Sequence, residues 1–236
     1  MALIKIEDIA HVRFAAPDHA AMRSFLEDFG MEVFEAAGRL YGKGTDGRPF
    51  VHVTQPGEAR FLALGLRAET VADLEKLAAA ESVVVEDWNE PGGGKIVRLN
   101  DPDGYAVEVV AAQAKSAARL AFGDQHRNTA SSKSRVRSAV RLESAPAHVH
   151  RIGHAVLKVR DFRVSEKWYK ERFGFLTSDE VEAAKDVSLG AFMRCDRGEK
   201  PSDHHTLFLA QLPGKPGLLH AAFEVANLDD LMLGHQ

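Results

Sequence analysis

The stretches "IAHVRFAAPDHAAMRSFLEDFGMEVFE" (9–35) and "IGHAVLKVRDFRVSEKWYKERFGFLTSDE" (152–180) share one layout, and this repeat decides the fold. Each pattern predicts a short strand with a histidine near its start, followed by an aspartate, an amphipathic helix and a Phe-Gly pair. Asp18 and Asp161 are expected to cap the two helices, because an aspartate side chain accepts hydrogen bonds from the first free N–H groups of a helix. The chain is therefore expected to contain an internal repeat.

A second pair of stretches repeats in the same way: "RFLALGLRAETVADLEKL" (60–77) and "LHAAFEVANLDDLML" (219–233). Each predicts a strand, a helix cap at Thr70 or Asn227, and a helix. The first copy continues through three further apolar segments. The sequence thus predicts an α+β fold of tandem βαβββ modules paired into two domains, with the fourth module truncated in its helix.

The domain limits follow from a change of composition between the repeats. We expect a two-module domain over 1–112 and an incomplete domain over 148–236. The segment 113–147 is rich in Ala, Ser and Arg, which is typical of a linker. A partly helical stretch is expected around 114–121.

The overall composition is that of a globular protein: 45% hydrophobic and 27% charged residues, with a formal net charge of −4. This mild acidic balance gives no reason to expect nucleic acid or a membrane as a partner. The single cysteine, Cys195, cannot form an internal disulfide, and the first residues lack the features of a signal peptide. These observations favour a cytoplasmic protein.

Histidines on apolar strands are the strongest chemical signal. His154 and His220 lie in apolar runs, and "DHHTLFL" (203–209) begins with two adjacent histidines. An unpaired buried polar group costs about 1–3 kcal/mol, so each imidazole needs a hydrogen-bond partner or a metal. Strand alternation predicts that His205 faces the same side as the leucines that follow it, and that His204 faces away.

The three motifs "RIGHAVLKV", "DHHTLFL" and "LLHAAFEV", together with "DPDGYAVEVV" in the first half, resemble a type I extradiol catechol dioxygenase of the vicinal oxygen chelate superfamily. That superfamily also includes glyoxalase I and the bleomycin-resistance proteins. The resemblance implies cleavage of a catechol-type ring beside its two hydroxyls by dioxygen, with Fe(II) as the metal and Mn(II) as the alternative. It also implies aromatic hydrocarbon catabolism and a homo-oligomer.

The resemblance assigns roles to five residues. His154 and His220 are the expected imidazole ligands of the metal, which is consistent with the two-His, one-carboxylate site of non-haem iron oxygenases. His205 matches the acid–base histidine beside the bound diol. Phe192 and Val156 match positions near the substrate ring, although core packing is an alternative for both and the better explanation of Val156.

The first half is expected to hold no metal. His11 matches His154 and Glu108 matches the carboxylate ligand of the family, but Phe61 is expected at the position of His220. Applied to the second half, the same spacing places the third, carboxylate ligand beyond Gln236, so this ligand is expected to be absent from the chain.

Two alternatives stay open at this point. One is a non-catalytic small-ligand binding protein of the bleomycin-resistance type, and the other is an inactive, truncated dioxygenase. A glyoxalase-type isomerase ranks third, because such enzymes use more glutamate ligands. The sequence leaves the particular catechol open.

Overall fold

A computed structural model describes residues 2–119, 128–137, 144–185 and 187–235. Within these residues the chain forms one sheet of eight strands, one sheet of five strands, and a few helices. The expectation of an α+β fold built from repeated βαβββ modules is confirmed. No helix in the described part of the chain is long and apolar enough to cross a membrane.

The first sheet contains two complete modules. The first module comprises β1 (Ile6–Ala16), α1 (His19–Asp28), β2 (Glu32–Ala36), β3 (Arg39–Lys43) and β4 (His52–Pro56). The second comprises β5 (Arg60–Ala68), α2 (Val71–Glu81), β6 (Glu86–Asp87), β7 (Lys95–Asn100) and β8 (Ala106–Ala111).

The second sheet contains a third module and the first part of a fourth. The third module comprises β9 (Val149–Val159), α3 (Phe162–Phe173), β10 (Leu176–Ala184), β11 (Val187–Arg194) and β12 (Leu207–Gln211). The fourth begins with β13 (Gly217–Val225) and α4 (Leu228–Gly234).

The first five strands of the eight-stranded sheet follow the same order as the five strands of the second sheet. The first sheet runs β2-β3-β4-β1-β5-β8-β7-β6, and the second runs β10-β11-β12-β9-β13. In both, the first strand of one module pairs antiparallel with the first strand of the next, as β1 does with β5 and β9 with β13. In the first sheet β8 covers the outer edge of β5, whereas no strand of the described residues covers that edge of β13.

The predicted helix caps are confirmed. The Asp18 side chain accepts a hydrogen bond from the N–H of Ala21, and Asp161 accepts from two backbone N–H groups of α3. Thr70 and Asn227 cap α2 and α4 in the same way. These caps satisfy N–H groups that a helix leaves free at its start, so the repeated sequence pattern directly fixes where each helix begins.

The helix expected around 114–121 is wrong for its described part, residues 114–119, which contains no helix. Instead the backbone N–H groups of Ala114, Ser116 and Arg119 donate to carbonyls of loops in the first half. Because these N–H groups are engaged by the loops, the segment runs along the first sheet. Residues 120 and 121 lie outside the described residues.

The two halves of the molecule share one hydrophobic core and several polar contacts. The hydroxyl of Tyr169, which is fully buried on α3, donates to the Asp101 carboxylate of the first half at 3.1 Å. The hydroxyl of Tyr105 donates to the carbonyl of Lys158 at 2.8 Å. These contacts fix the second sheet, and the histidines on it, against the first.

Candidate metal centre

Two of the predicted metal ligands come together on neighbouring strands. His154 lies on β9 and His220 on β13, and their Nε2 atoms are 3.2 Å apart. His220 pairs in register with Val156, and Ala222 pairs with His154, so the two histidines are diagonal neighbours on one face of the sheet. A β-bulge between Leu218 and His220 sets this register.

The second histidine motif supplies a third imidazole. The ring of His205 lies 4.2 Å from the ring of His154, measured between centroids. The expectation that His205 faces the same side as Leu207 and that His204 faces away is wrong, because β12 begins only at Leu207 and strand alternation does not extend to the histidines. His204 and His205 line the same cavity as His154.

The two expected pocket residues differ in exposure. Phe192 is partly exposed. Its ring centroid lies 5.0 Å from that of His205 and 4.1 Å from that of Phe208. Val156 pairs in register with both Phe208 and His220 but is only 4% exposed. Phe192 therefore forms an apolar wall beside the imidazoles, whereas Val156 packs beneath that wall.

His154, His204 and His205 border an open cavity of about 290 Å³, whereas His220 lines a second cavity together with Phe14 and Phe29 of the first half. Two carboxylates, Asp203 and Glu224, also line the first of these cavities, but both are held by Arg151. The Arg151 guanidinium contacts Asp203 at 2.7 Å and binds both oxygens of Glu224. Arg151 thus engages both oxygens of Glu224 and one oxygen of Asp203.

The environment favours the neutral, metal-binding form of His154 and His205. Burial, followed by the neighbouring His205 and His220, lowers the pKa of His154 to about 4. Burial and the adjacent His204 also lower the pKa of His205. A neutral imidazole keeps a lone pair on one ring nitrogen, and this lone pair is the group that binds a metal or accepts a proton.

The spacing of the two Nε2 atoms fits two adjacent positions around a metal ion. Metal–imidazole bonds of about 2.1 Å at angles between 90° and the tetrahedral value place two ligand nitrogens roughly 3.0–3.4 Å apart. The observed 3.2 Å falls within this range. No group of three or more His, Cys, Asp or Glu side chains that could hold a metal occurs among the described residues.

The first half corrects one sequence assignment. Arg13 pairs with Ala63 in the first sheet as Val156 pairs with His220 in the second, and both sheets carry a bulge at the following step. The counterpart of His220 is therefore Ala63 and not Phe61. The assignment was wrong because it matched the apolar runs directly and not the helix caps that follow them.

The counterpart of the metal centre in the first half is occupied by a guanidinium. His11 Nε2 lies 2.8 Å from Glu108, and Arg13 donates two hydrogen bonds to the same carboxylate oxygen. Burial opposes the charged form of Glu108, but the contacts with His11 and Arg13 outweigh it and lower the pKa of Glu108 to about 2. Glu108 thus provides a hydrogen-bond partner for both His11 and Arg13.

Sequence reasoning missed two residues at this site. Arg151 holds the carboxylates of the cavity wall, and Asp179 on β10 accepts a hydrogen bond from His204 Nε2 at 2.8 Å. Both lie on strands that the sequence predicts, but far from their partners along the chain. No local pattern could have indicated these pairs.

Residues 8–109 match the Glyoxalase/Bleomycin resistance protein/Dioxygenase superfamily. Over nearly its whole length the chain is also similar to an iron-dependent extradiol dioxygenase from Rhodococcus jostii. The two are 23% identical over 98% of this chain and 76% of that protein.

Two solved structures share the fold. The Mn(II)-bound glyoxalase from Novosphingobium aromaticivorans has a TM-score of 0.75 and 25% identity, covering 98% of this chain and 69% of that one. An extradiol ring-cleaving dioxygenase from B. fuscum has a TM-score of 0.74 and 18% identity, covering 99% of this chain and 61% of that one.

Proposed function

We propose that this chain, which belongs to the Glyoxalase/Bleomycin resistance protein/Dioxygenase superfamily through residues 8–109, cleaves the ring of a catechol-type aromatic diol with dioxygen. In this proposal His154 and His220 hold an Fe(II) ion, with Mn(II) as the alternative. The observation that carries the proposal is the convergence of three imidazoles: two Nε2 atoms 3.2 Å apart and a third ring 4.2 Å from the first.

The similarity to extradiol dioxygenases supports the same reaction class. The metal, when bound, supplies open coordination positions and a route for electrons between the diol and dioxygen. The contribution of the chain is then to hold this ion through two neutral nitrogens and to shape the space beside it.

His205 has the position and chemistry of an acid–base group. It borders the cavity next to His154, and an imidazole both accepts and donates a proton near neutral pH. We assign it the transfer of the proton from a diol hydroxyl and its later return. Phe192 beside it provides an apolar surface for the substrate ring, and Val156 supports this wall from below.

A second candidate function is non-catalytic binding of a small aromatic ligand. It is favoured by one observation, namely that the described residues offer no third ligand near the two histidines. In this case the ligand occupies the cavity, iron is not required, and His205→Ala leaves ligand affinity intact.

Oxygen uptake separates the two candidates. The protein is loaded with Fe(II) without air and mixed with unsubstituted, alkyl-substituted and aryl-substituted catechols in an oxygen electrode. The dioxygenase proposal predicts iron-dependent uptake with at least one of them, and its loss in His205→Ala. Binding of a catechol without any uptake, equally tight with and without iron, would instead establish the binding protein.

A further inference from the structure

A chain of hydrogen-bonding groups leads from the edge of the second sheet to His205. The carboxylate of Asp179 on β10 lies 2.8 Å from His204 Nε2. His204 Nδ1 in turn lies 3.2 Å from His205 Nδ1. Asp179, His204 and His205 therefore form one continuous row that ends in the cavity.

The backbone beside this row is held by the same strand. The Ser178 hydroxyl donates to the His204 carbonyl at 2.6 Å, and Arg194 donates to the Ser178 oxygen at 2.9 Å. Two consecutive residues of β10 thus contact the backbone and the side chain of His204. The Phe192 ring packs against both histidine rings, at 5.8 Å from His204 and 5.0 Å from His205.

The direction of each hydrogen bond follows from the chemistry of its first member. An ionised carboxylate only accepts, so His204 Nε2 carries the hydrogen that is donated to Asp179. At a pH where both His204 and His205 are neutral, each imidazole has a single N–H, which leaves His204 Nδ1 as an acceptor. His205 Nδ1 must then be the donor, and the lone pair of His205 lies on Nε2, on the far side of the ring from His204.

We propose that Asp179 and His204 are positioning residues that fix His205 in the tautomer with a hydrogen on Nδ1 and a free lone pair on Nε2. This inference rests on the proposed function in one respect: the lone pair makes His205 a proton acceptor when a diol first enters the cavity. The tautomer itself is a property of the folded chain and can be measured without turnover.

Nitrogen NMR reads the tautomer directly. The full chain is labelled with ¹⁵N-histidine, kept metal-free, and studied at a pH where His205 is neutral; the His205 signals are identified by their absence in His205→Ala. A ring nitrogen that carries hydrogen has a chemical shift well separated from one with a lone pair. We expect Nδ1 of His205 to carry the hydrogen.

Variants test whether the row causes this tautomer. Asp179→Ala removes the acceptor of the His204 N–H, and His204→Phe removes the acceptor of the His205 N–H. In both variants the ¹⁵N shifts of His205 should move toward a mixture of tautomers. His204→Gln should keep the original shifts, because its amide oxygen can accept from His205 Nδ1. Glu182→Ala removes a carboxylate from an exposed position of the same strand and should change nothing.

Two results would overturn the proposal: a hydrogen on Nε2 of His205 in the unaltered chain, or unchanged shifts in both Asp179→Ala and His204→Phe. Turnover gives a separate readout, since loss of such a supporting contact typically costs about tenfold or more in activity. We expect this decrease in kcat for His204→Phe and recovery in His204→Gln. An absence of oxygen uptake in every variant, with the NMR result as expected, would refute the proposed function and leave the tautomer assignment standing.

Discussion

The Nε2 atoms of His154 and His220 lie 3.2 Å apart on neighbouring antiparallel strands of the second sheet. A bulge on β13 sets the register that makes this contact possible. The first sheet has the same bulge but carries His11 and Ala63 at the positions equivalent to His154 and His220. The repeated architecture therefore provides two equivalent places, and within the described residues two imidazoles converge at the second place.

Removal of either imidazole should abolish metal binding. His154→Ala or His220→Ala leaves one ligand nitrogen where two converged. We expect the affinity for Mn(II) to fall at least about 100-fold, because loss of a group that merely hydrogen-bonds to a metal ligand already lowers metal affinity about 10- to 100-fold. Titration of Mn(II) followed by EPR measures this. His235→Ala, an exposed histidine at the end of α4, is the control and should bind as the parent does.

Loss of His205 should separate binding from turnover. Because His205 is assigned to proton transfer and not to the metal, His205→Ala should keep the Mn(II) affinity of the parent. Its iron-dependent oxygen uptake should fall about 10²- to 10⁴-fold, the usual contribution of a general acid–base group. If His205→Ala lost metal affinity as severely as His154→Ala, His205 would have to be a ligand.

The buried Glu108 should make the stability of the protein depend on acid pH. Its folded-state pKa of about 2 lies below the ordinary value of 4.5. A lowered pKa contributes stability above pH 4.5, and this contribution, about 3 kcal/mol, is lost as the pH falls toward 2. Urea unfolding from pH 7 to pH 3 should show the first part of this loss, about 2 kcal/mol, in the parent chain.

Glu108→Gln is the matched variant for this experiment. It leaves the buried Arg13 without its anionic partner, so it should be less stable than the parent at pH 7. The difference should shrink as the pH falls, because the parent loses the same interaction on protonation. A difference that stayed constant across this range would contradict the role given to Glu108.

The contact between Tyr169 and Asp101 should stabilise the packing of the two halves. Tyr169→Phe removes a buried hydroxyl that donates to a buried carboxylate, and we expect a loss of about 1–3 kcal/mol in the free energy of unfolding. The cycle of Tyr169→Phe, Asp101→Ala and the double variant, measured by urea unfolding, should give a coupling energy of at least about 0.5 kcal/mol. Additive effects would show that the hydrogen bond contributes nothing.

Much of the fold could be predicted from the sequence because its signals are local and repeated. Asp18, Thr70, Asp161 and Asn227 mark the helix starts through contacts within a few residues. The domain limits at 112 and 147 stay a prediction.

The predictions that failed depend on how neighbouring strands pair and on where a strand begins. Phe61 was matched to His220 by aligning the apolar runs alone, whereas the pairing of Ala63 with Arg13, like that of His220 with Val156, identifies Ala63 as the counterpart. The predicted orientations of His204 and His205 were wrong because β12 begins at Leu207, later than the apolar pattern indicates. Apolar alternation predicts the face of a residue only where the strand pairing is regular.

The sequence indicated the three histidines of the candidate site but not the residues that surround them. His154, His205 and His220 each lie in a motif of adjacent residues, so a resemblance could identify them. Arg151 contacts Asp203 and Glu224, which are distant in the sequence, and such pairs become visible only in the folded chain.

Isotope labelling of the product tests the central claim most directly. The Fe(II)-loaded chain is supplied with ¹⁸O₂ and each catechol in turn, and the product is analysed by mass spectrometry. We predict a ring-opened product that contains both atoms of one oxygen molecule, absent in His154→Ala and His220→Ala. An unchanged catechol in every case, or a product formed equally by the two histidine variants, would contradict a dioxygenase centred on these residues.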